Sequence, residues 1–124
     1  MEPITFTLTK TPGIVQVQVP YLLAKDTFYR WSFAVVCDAD RPSRNPVVSG
    51  WVRRVEPDSG VVQKLKKVKQ PERVATIYAK AGLWYDALTL LAKHRDANPQ
   101  TAAAWQELLR SQQLETVSLQ PITN

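Results

Sequence analysis

The chain has very few of the residues on which disulfide scaffolds, metal sites and phosphate loops depend. Its 124 residues include one cysteine, one histidine and four glycines. A single thiol excludes an internal disulfide framework, and four glycines leave little room for a glycine-rich phosphate cradle. No Cys-x-x-Cys pair and no His-Glu-x-x-His motif occurs. The sequence therefore predicts no metal site and no cofactor.

Long apolar runs are also missing. No stretch approaches the ~18 apolar residues that a membrane-spanning helix needs, and residues 1–10 lack the basic start and apolar run of a signal peptide. Hydrophobic residues make up 44% of the chain and charged residues 22%, which is typical of a globular protein. The length is near that of one domain, so we expect residues 1–124 to form a single domain.

Acidic residues are outnumbered by basic ones, 11 against 16, which gives a net charge of +5. Much of the excess lies in KLKKVKQPER, where Glu72 is the only acid. This run is typical of a solvated helix face, and it is also compatible with an anionic surface, a lipid or an acidic partner. Nucleic acid is not expected, because no aromatic stacking residues accompany the run. The candidate binding residues here are Lys64, Lys66, Lys67 and Lys69.

The first part of the chain, residues 1–56, has the period-two pattern of strands. ITFTLT and IVQVQV alternate apolar with polar residues around a Pro-Gly turn, which predicts a hairpin. FYRWSFAVVC (28–37) and VVSGWVRRV (47–55) predict two further strands. We therefore expect an antiparallel sheet of about four strands that forms part of a sandwich, with an aromatic core-facing side.

The second part, residues 57–115, has helical periodicity. Helices are expected from near Pro57 or Asp58, over 71–81, over 84–95 and over 101–112, and Gly82 and Asn98-Pro99 separate the last three. Residues 116–124 read as an irregular tail with a short extended piece at 116–119. Strands followed by helices predict an α+β fold.

Large aromatic side chains are abundant enough to fill a core. The predicted core residues are Trp31, Trp51, Trp84, Ala87 and Trp105. The alternative is that exposed indoles line a groove for a sugar or a peptide. Because Trp84 and Tyr85 are adjacent, they diverge on a helix, and Tyr85 is a candidate outward binding residue.

Between Ala79 and Trp105, Gly82 separates two predicted helices, and five further positions follow it in one register: Trp84, Ala87, Pro99, Trp105 and Leu108. In this register the region resembles a tetratricopeptide repeat, with Gly82 as the inter-helix glycine. The groove positions of the first helix would then be Lys69, Glu72, Thr76, Ala79 and Lys80, and Lys80 joins the candidate binding residues. About one and a half repeats are present, so a structural hairpin is expected in preference to a peptide clamp.

A wider resemblance covers about residues 5–115. Tyr29-Arg30-Trp31, Cys37-Asp38, Gly50-Trp51 and GLWYDAL (82–88) follow one another as in the cyanobacterial domain-of-unknown-function family 928. The resemblance implies no established activity, a location in the periplasm or cell envelope, and further family strands before Met1. An uncovered sheet edge would follow, and we expect self-association or a partner strand there.

Candidate catalytic groups do not form a convergent set. His94 lies late on a helix beside two cations, Cys37 ends an aromatic strand, and Asp38 and Asp40 are typical of loop capping. We therefore expect a non-enzymatic protein-interaction or scaffold domain. The alternative is a carbohydrate or envelope-polymer binding module that uses exposed aromatic side chains.

Overall fold

The computed structural model describes residues 3–8, 13–36, 40–41 and 45–123. The chain divides into two compact units. The ladder unit is Val19–Glu56, and the helical unit combines Met1–Gln18 with Pro57–Asn124. That residues 1–124 form one folding domain stays a prediction.

The predicted α+β class is confirmed. The described elements, in chain order, are β1 (Ile14–Val15), β2 (Phe28–Ala34), β3 (Val47–Arg53), α1 (Ser59–Lys67), α2 (Pro71–Lys80), α3 (Trp84–His94), α4 (Pro99–Ser111), a 3₁₀ helix (Glu115–Val117) and β4 (Ile122–Thr123). Every predicted helix lies within about two residues of its expected bounds. The predicted sheet of about four antiparallel strands is wrong, because the antiparallel sheet of the described residues has two strands, β2 and β3.

The helix starts are determined by local chemistry. The Asp58 carboxylate accepts a hydrogen bond from the backbone N–H of Val61 (2.9 Å) at the start of α1, and the Asn98 side chain accepts one from the N–H of Thr101 (2.8 Å) at the start of α4. Such caps satisfy backbone donors that have no partner inside the helix. Pro71 and Pro99 lie in first turns, where proline removes no helical hydrogen bond.

Two helices end in the same motif with different residues. After α2, Gly82 N–H donates to Ala79 O (3.1 Å) and Leu83 N–H to Tyr78 O (2.9 Å), which is the Schellman pattern. After α4, Gln113 occupies the position that Gly82 holds after α2. Both residues have left-handed φ angles, 82° for Gly82 and 61° for Gln113. Glycine adopts this conformation readily, whereas glutamine does so at a steric cost.

The core of the helical unit lies where α2, α3 and α4 meet. Its buried apolar residues are Ala75, Ala87, Leu91, Trp105 and Leu109. Ala87 is fully buried, which agrees with its place among the predicted core residues. Thr101 is also fully buried, and its hydroxyl donates to Asn98 Oδ1 at 2.9 Å, so the polar group is satisfied.

The segment after α4 is held by side chains from the helices. The indole N–H of Trp105 donates to Ser118 O (2.8 Å), and Arg95 Nη1 donates to Gln120 O (2.6 Å). The Arg95 guanidinium also lies 5.6 Å from the centroid of the Trp105 ring. These contacts direct the chain into β4.

The short parallel pair of β1 and β4 corrects two predictions. Ile14 pairs with Ile122 and Val15 with Thr123, whereas a hairpin between 4–8 and 15–19 was expected. Residues 3–8 form no strand, and residues 10–12 of the turn expected over 10–13 lie outside the described residues. Period-two alternation identifies an extended segment but not its partner. The extended piece expected at 116–119 is also wrong, because a 3₁₀ helix overlaps it and the strand comes later.

Candidate functional site

The ladder unit is built on one antiparallel pair of seven-residue strands. Phe28 pairs with Arg53, Arg30 with Trp51, and Trp31 with Gly50. Because directly opposed residues in an antiparallel pair share a face, the ladder has two distinct sides. The arginine face carries Phe28, Arg30, Ser32, Ala34, Val47, Ser49, Trp51 and Arg53, and the indole face carries Tyr29, Trp31, Phe33, Val48, Gly50 and Val52.

The hydrogen bonds between β2 and β3 show which face carries the hydrogen-bonded pairs and which carries the non-hydrogen-bonded pairs. Val35 N–H donates to Pro46 O (3.0 Å), so Val35 and Pro46 form a hydrogen-bonded pair. Pairs alternate along an antiparallel ladder, so the indole-face pairs are hydrogen-bonded and the arginine-face pairs are not. The backbone N–H and C=O groups of the arginine-face residues therefore point outward, along the two edges. Among the described residues, neither strand pairs with a third.

The arginine face combines exposed rings with cations. The exposed fraction is 63% for Phe28 and 62% for Trp51. The Arg53 guanidinium lies 4.9 Å from the Phe28 ring centroid, a cation–π contact that fits the closer side chains of a non-hydrogen-bonded pair. Neither strand contains an acidic residue, so this face is both apolar and positively charged.

The indole face is uncharged and better covered. Tyr29 and Phe33 are half-buried, and the Tyr29 hydroxyl accepts a hydrogen bond from Ala24 N–H (2.9 Å). The Trp31 ring lies over Gly50, where an added Cβ would come within 2.6 Å of Trp31 Cζ2. Glycine is needed at this position because the ring takes the space of its side chain, which is the close contact expected for a glycine within a strand.

An ion pair closes the base of the ladder. Lys25 Nζ lies 2.7 Å from Glu56 Oε2, and both side chains are largely exposed. This hydrogen bond, together with the opposite charge, raises the pKa of Lys25 and lowers the pKa of Glu56. Arg54 Nη1 donates to Leu23 O (3.2 Å) beside it. The two contacts hold the chain leading into β2 against the end of β3.

Among the described residues of the helical unit, a cleft between α2 and α4 and a cleft between α1 and α2 share the exposed side of α2. The cleft between α2 and α4, of about 250 Å³, has an apolar floor that includes Ala75, Ala79 and Leu108, with Glu72 and Glu107 among its lining. The cleft between α1 and α2, of about 380 Å³, is lined by Lys64 and Lys80 among others. Thr76 and Lys80 line both clefts. The groove positions predicted from the repeat pattern at Glu72, Thr76, Ala79 and Lys80 therefore lie together.

The comparison with protein families identifies the lineage. The model of the family described as Domain of Unknown Function (DUF928) matches residues 1–122. The chain belongs to this family. No curated protein and no solved structure was found to match it. The resemblance seen in the Tyr-Arg-Trp, Gly-Trp and Gly-Leu-Trp-Tyr-Asp-Ala-Leu motifs is therefore confirmed, while the family itself assigns no reaction and no ligand.

The structure separates the basic residues that were predicted to bind in this DUF928 domain. Lys64 and Lys80 line one cleft. Lys66, Lys67 and Lys69 are exposed and line neither of the two clefts. Tyr85 is 49% exposed, as expected for an outward neighbour of Trp84, and its ring contacts the Trp84 ring edge to face at 5.5 Å.

The predicted aromatic core of the DUF928 domain needs correction. Trp105 and Ala87 are buried, and Trp84 is half-buried. Trp31 and Trp51 are 38% and 62% exposed and belong to no buried cluster of the described residues. A strand side chain becomes buried only if something covers its face, and alternation alone does not say whether a face is covered.

The ladder residues Phe28, Arg30 and Arg53 were not among the predicted site residues. Their signal was present as Phe-Tyr-Arg in β2 and Trp-Val-Arg in β3, because each triplet places an aromatic and an arginine on one face of a strand. Of the candidate catalytic groups, Cys37 and Asp38 lie outside the described residues. Asp40 is exposed, and His94 is half-buried at the end of α3.

The described residues of this DUF928 domain show neither a membrane-spanning helix nor a metal-binding cluster. None of the helices there combines the length and the apolar character that crossing a bilayer requires. The same residues contain no group of three or more His, Cys, Asp or Glu side chains arranged to hold a metal ion.

Proposed function

We propose that the chain is a non-enzymatic protein-interaction domain whose ladder is completed by a strand from a partner. The supporting observation is that β2 and β3, at seven residues each, pair with one another and with no third strand among the described residues. Their outward N–H and C=O groups are the groups that an added strand uses. Main-chain hydrogen bonds would supply affinity, and the alternating side chains would supply specificity.

The energetics favour completion. A two-stranded ladder alone is at best marginally stable in water, and a third strand or a covering layer is what usually stabilises it. The ladder also exposes large apolar side chains on both faces, including Val47, Val48 and Trp51 at 60%, 60% and 62%. Covering them removes apolar surface from water, at about 25 cal/mol for each Å².

A peptide-display selection tests this proposal. A random peptide library is selected on the wild-type chain and, in parallel, on a chain with Ser32→Pro and Ser49→Pro, which removes one outward N–H from each edge. Peptides with alternating apolar residues should be enriched on the wild type and not on the variant. Enrichment that is the same on both chains, or no enrichment on the wild type, would contradict strand completion.

The helical unit supports a second interaction surface of the same class. The cleft between α2 and α4 has a floor of small and apolar residues with charges at its sides, as in a tetratricopeptide groove. We assign this cleft the scaffold part of the function. Ala104→Arg places a long charged side chain in the cleft. This variant should no longer enrich peptides that bind between α2 and α4, and it should still enrich peptides that bind the ladder.

Carbohydrate or envelope-polymer binding is the second candidate, and the exposure of Trp51 favours it. An indole with 62% of its surface exposed offers a flat apolar ring on which a sugar can stack. A glycan array probed with the wild type and with Trp51→Ala distinguishes the candidates. Glycan binding by the wild type that is lost in Trp51→Ala would support carbohydrate binding. An array on which the wild type binds no glycan would contradict it.

The non-enzymatic part of the proposal rests on the sequence, where no nucleophile, base and orienting group converge. A screen against a broad set of hydrolase substrates should give no turnover. Turnover that disappears in Asp38→Ala would overturn this part of the proposal.

A further inference from the structure

We infer that the completing strand pairs with the outer edge of β3 and carries acidic side chains beside apolar ones. This inference rests on the proposed function, and it adds the edge and the chemistry of the partner. It is carried by three observations on the ladder: where the exposed apolar surface lies, which edge lacks protection against pairing, and which charge the arginine face bears.

Exposed apolar surface is concentrated on β3. Val47, Val48 and Trp51 are each at least 60% exposed. On β2, Phe28 is exposed to a similar degree, but Trp31 is 38% exposed and its ring lies over Gly50. A strand alongside β3 therefore covers more apolar surface than a strand alongside β2.

Apart from Arg53 at its end, β3 also lacks the features by which proteins discourage strand pairing. Natural edge strands carry lysine, proline or an inward-pointing charge. From Val47 to Val52 the sequence is VVSGWV, with no charge and no proline. On β2, the corresponding stretch contains Arg30 in its interior. The β3 edge is thus the more permissive of the two.

The positive charge of the arginine face favours a partner strand with acidic side chains. The arginine face bears Arg30 and Arg53 and no acid. A strand paired with β3 places alternate side chains beside Trp51 and Arg53, where a carboxylate is the favoured cross-strand neighbour of a cation. Arg53 Cζ lies 4.9 Å from the Phe28 ring centroid, and a guanidinium placed over an aromatic ring can still donate N–H groups to a carboxylate. A second copy of this ladder brings further arginines and no acid, so it fits this face less well.

Two synthetic peptides test the inference. Each is a fluorescent peptide of about eight residues, a common strand length, in which valine alternates with glutamate in one and with lysine in the other. Fluorescence anisotropy with the full chain should show binding of the glutamate peptide that is roughly threefold or more tighter than binding of the lysine peptide. Arg53→Glu should reverse this preference without changing the backbone.

The chain offers a matched pair of variants for the choice of edge. Ser32 and Ser49 are direct cross-strand partners, and the N–H group of each points outward, so proline at either position removes an edge donor and spares the ladder bonds. Ser49→Pro should reduce binding of the glutamate peptide at least tenfold, whereas Ser32→Pro should leave it within about twofold. The opposite result would place the partner on β2 and overturn the assignment of the edge.

The remaining outcomes are also decisive. Equal affinity for the two peptides would contradict the inference that the partner strand is acidic. It would not contradict strand completion, which the display selection tests separately. Absence of binding by either peptide, when the selection has yielded ladder-dependent sequences, would overturn this inference and not the proposed function. If light scattering shows that the wild type is a dimer and that Ser49→Pro is a monomer, the partner is a second copy of the chain, and the inference of an acidic partner strand is wrong.

Discussion

The two units of this chain differ in how their apolar side chains are used. In the helical unit, five apolar residues from three helices form a buried core, and the indole of Trp105 is both packed and hydrogen-bonded. In the described residues of the ladder unit no side chain is buried, although its strands contain Phe28, Trp31 and Trp51. Apolar composition is therefore a poor guide to burial, because a side chain is buried only where a second layer covers it.

The largest expected effect on stability comes from replacing one tryptophan of each unit with alanine. Trp105→Ala should lower the free energy of unfolding by about 3–5 kcal/mol, because it leaves a cavity in the helical core. Trp51→Ala should lower it by about 0.5 kcal/mol or less, because the side chain is largely in solvent. Urea unfolding followed by circular dichroism measures both.

The tryptophan comparison has an internal control. Trp105→Phe keeps most of the packing but leaves Ser118 O without the indole donor, so its cost should fall between those of the two alanine variants. Equal losses for Trp105→Ala and Trp51→Ala would mean that the two units do not differ in how deeply their indoles are buried.

A second effect concerns the helix caps. Asn98→Ala should cost about 1 kcal/mol of stability, because Thr101 N–H and the buried Thr101 hydroxyl both lose the Asn98 oxygen as acceptor. Asp58→Ala removes the same kind of cap from α1, a helix with no buried residue. Its effect on global unfolding should be smaller, and amide hydrogen exchange should show fraying confined to the first turn of α1. A larger loss from Asp58→Ala would contradict this ranking.

A third effect uses the two left-handed residues after α2 and α4. Gln113→Gly should raise stability by about 0.5–1 kcal/mol, since glycine adopts the positive φ without steric cost. Gly82→Ala should lower stability by about 1 kcal/mol for the converse reason. Thermal melting of the two variants gives the comparison, and a destabilised Gln113→Gly variant would mean that residue 113 does not adopt the left-handed conformation.

The smallest effect is electrostatic and belongs to the ladder unit. The lowered pKa of Glu56 means that its ion pair stabilises above the unfolded pKa of about 4.3 and is lost as the pH falls through the folded value. The raised pKa of Lys25 means that the same pair is lost as the pH rises through its folded value, above about 10.4. NMR titration should show the Glu56 pKa returning towards its ordinary value in Lys25→Met. An unchanged titration would show that the pair does not form in solution.

The sequence predicted the helices better than the sheet, for a physical reason. Helix signals are local: the cap at Asp58, the turn at Gly82 and the break at Asn98-Pro99 each act within about four residues. Strand partners are distant, so alternation located β2 and β3 but did not show that Ile14 and Val15 pair with residues more than a hundred positions away. Glu72, Thr76, Ala79 and Lys80, which the repeat pattern placed on one face of α2, line one cleft, while the tetratricopeptide character of the hairpin stays a prediction. The arginine face was missed because it depends on the register between two strands.

The pairing of β1 with β4 also constrains how the chain folds during synthesis. Ile14 and Val15 are synthesised before α1 to α4, whereas Ile122 and Thr123 are synthesised after them. Helices form from local contacts within microseconds, while a contact of this sequence separation must wait for its second half. β1 therefore remains without its native neighbour until synthesis has passed α1 to α4.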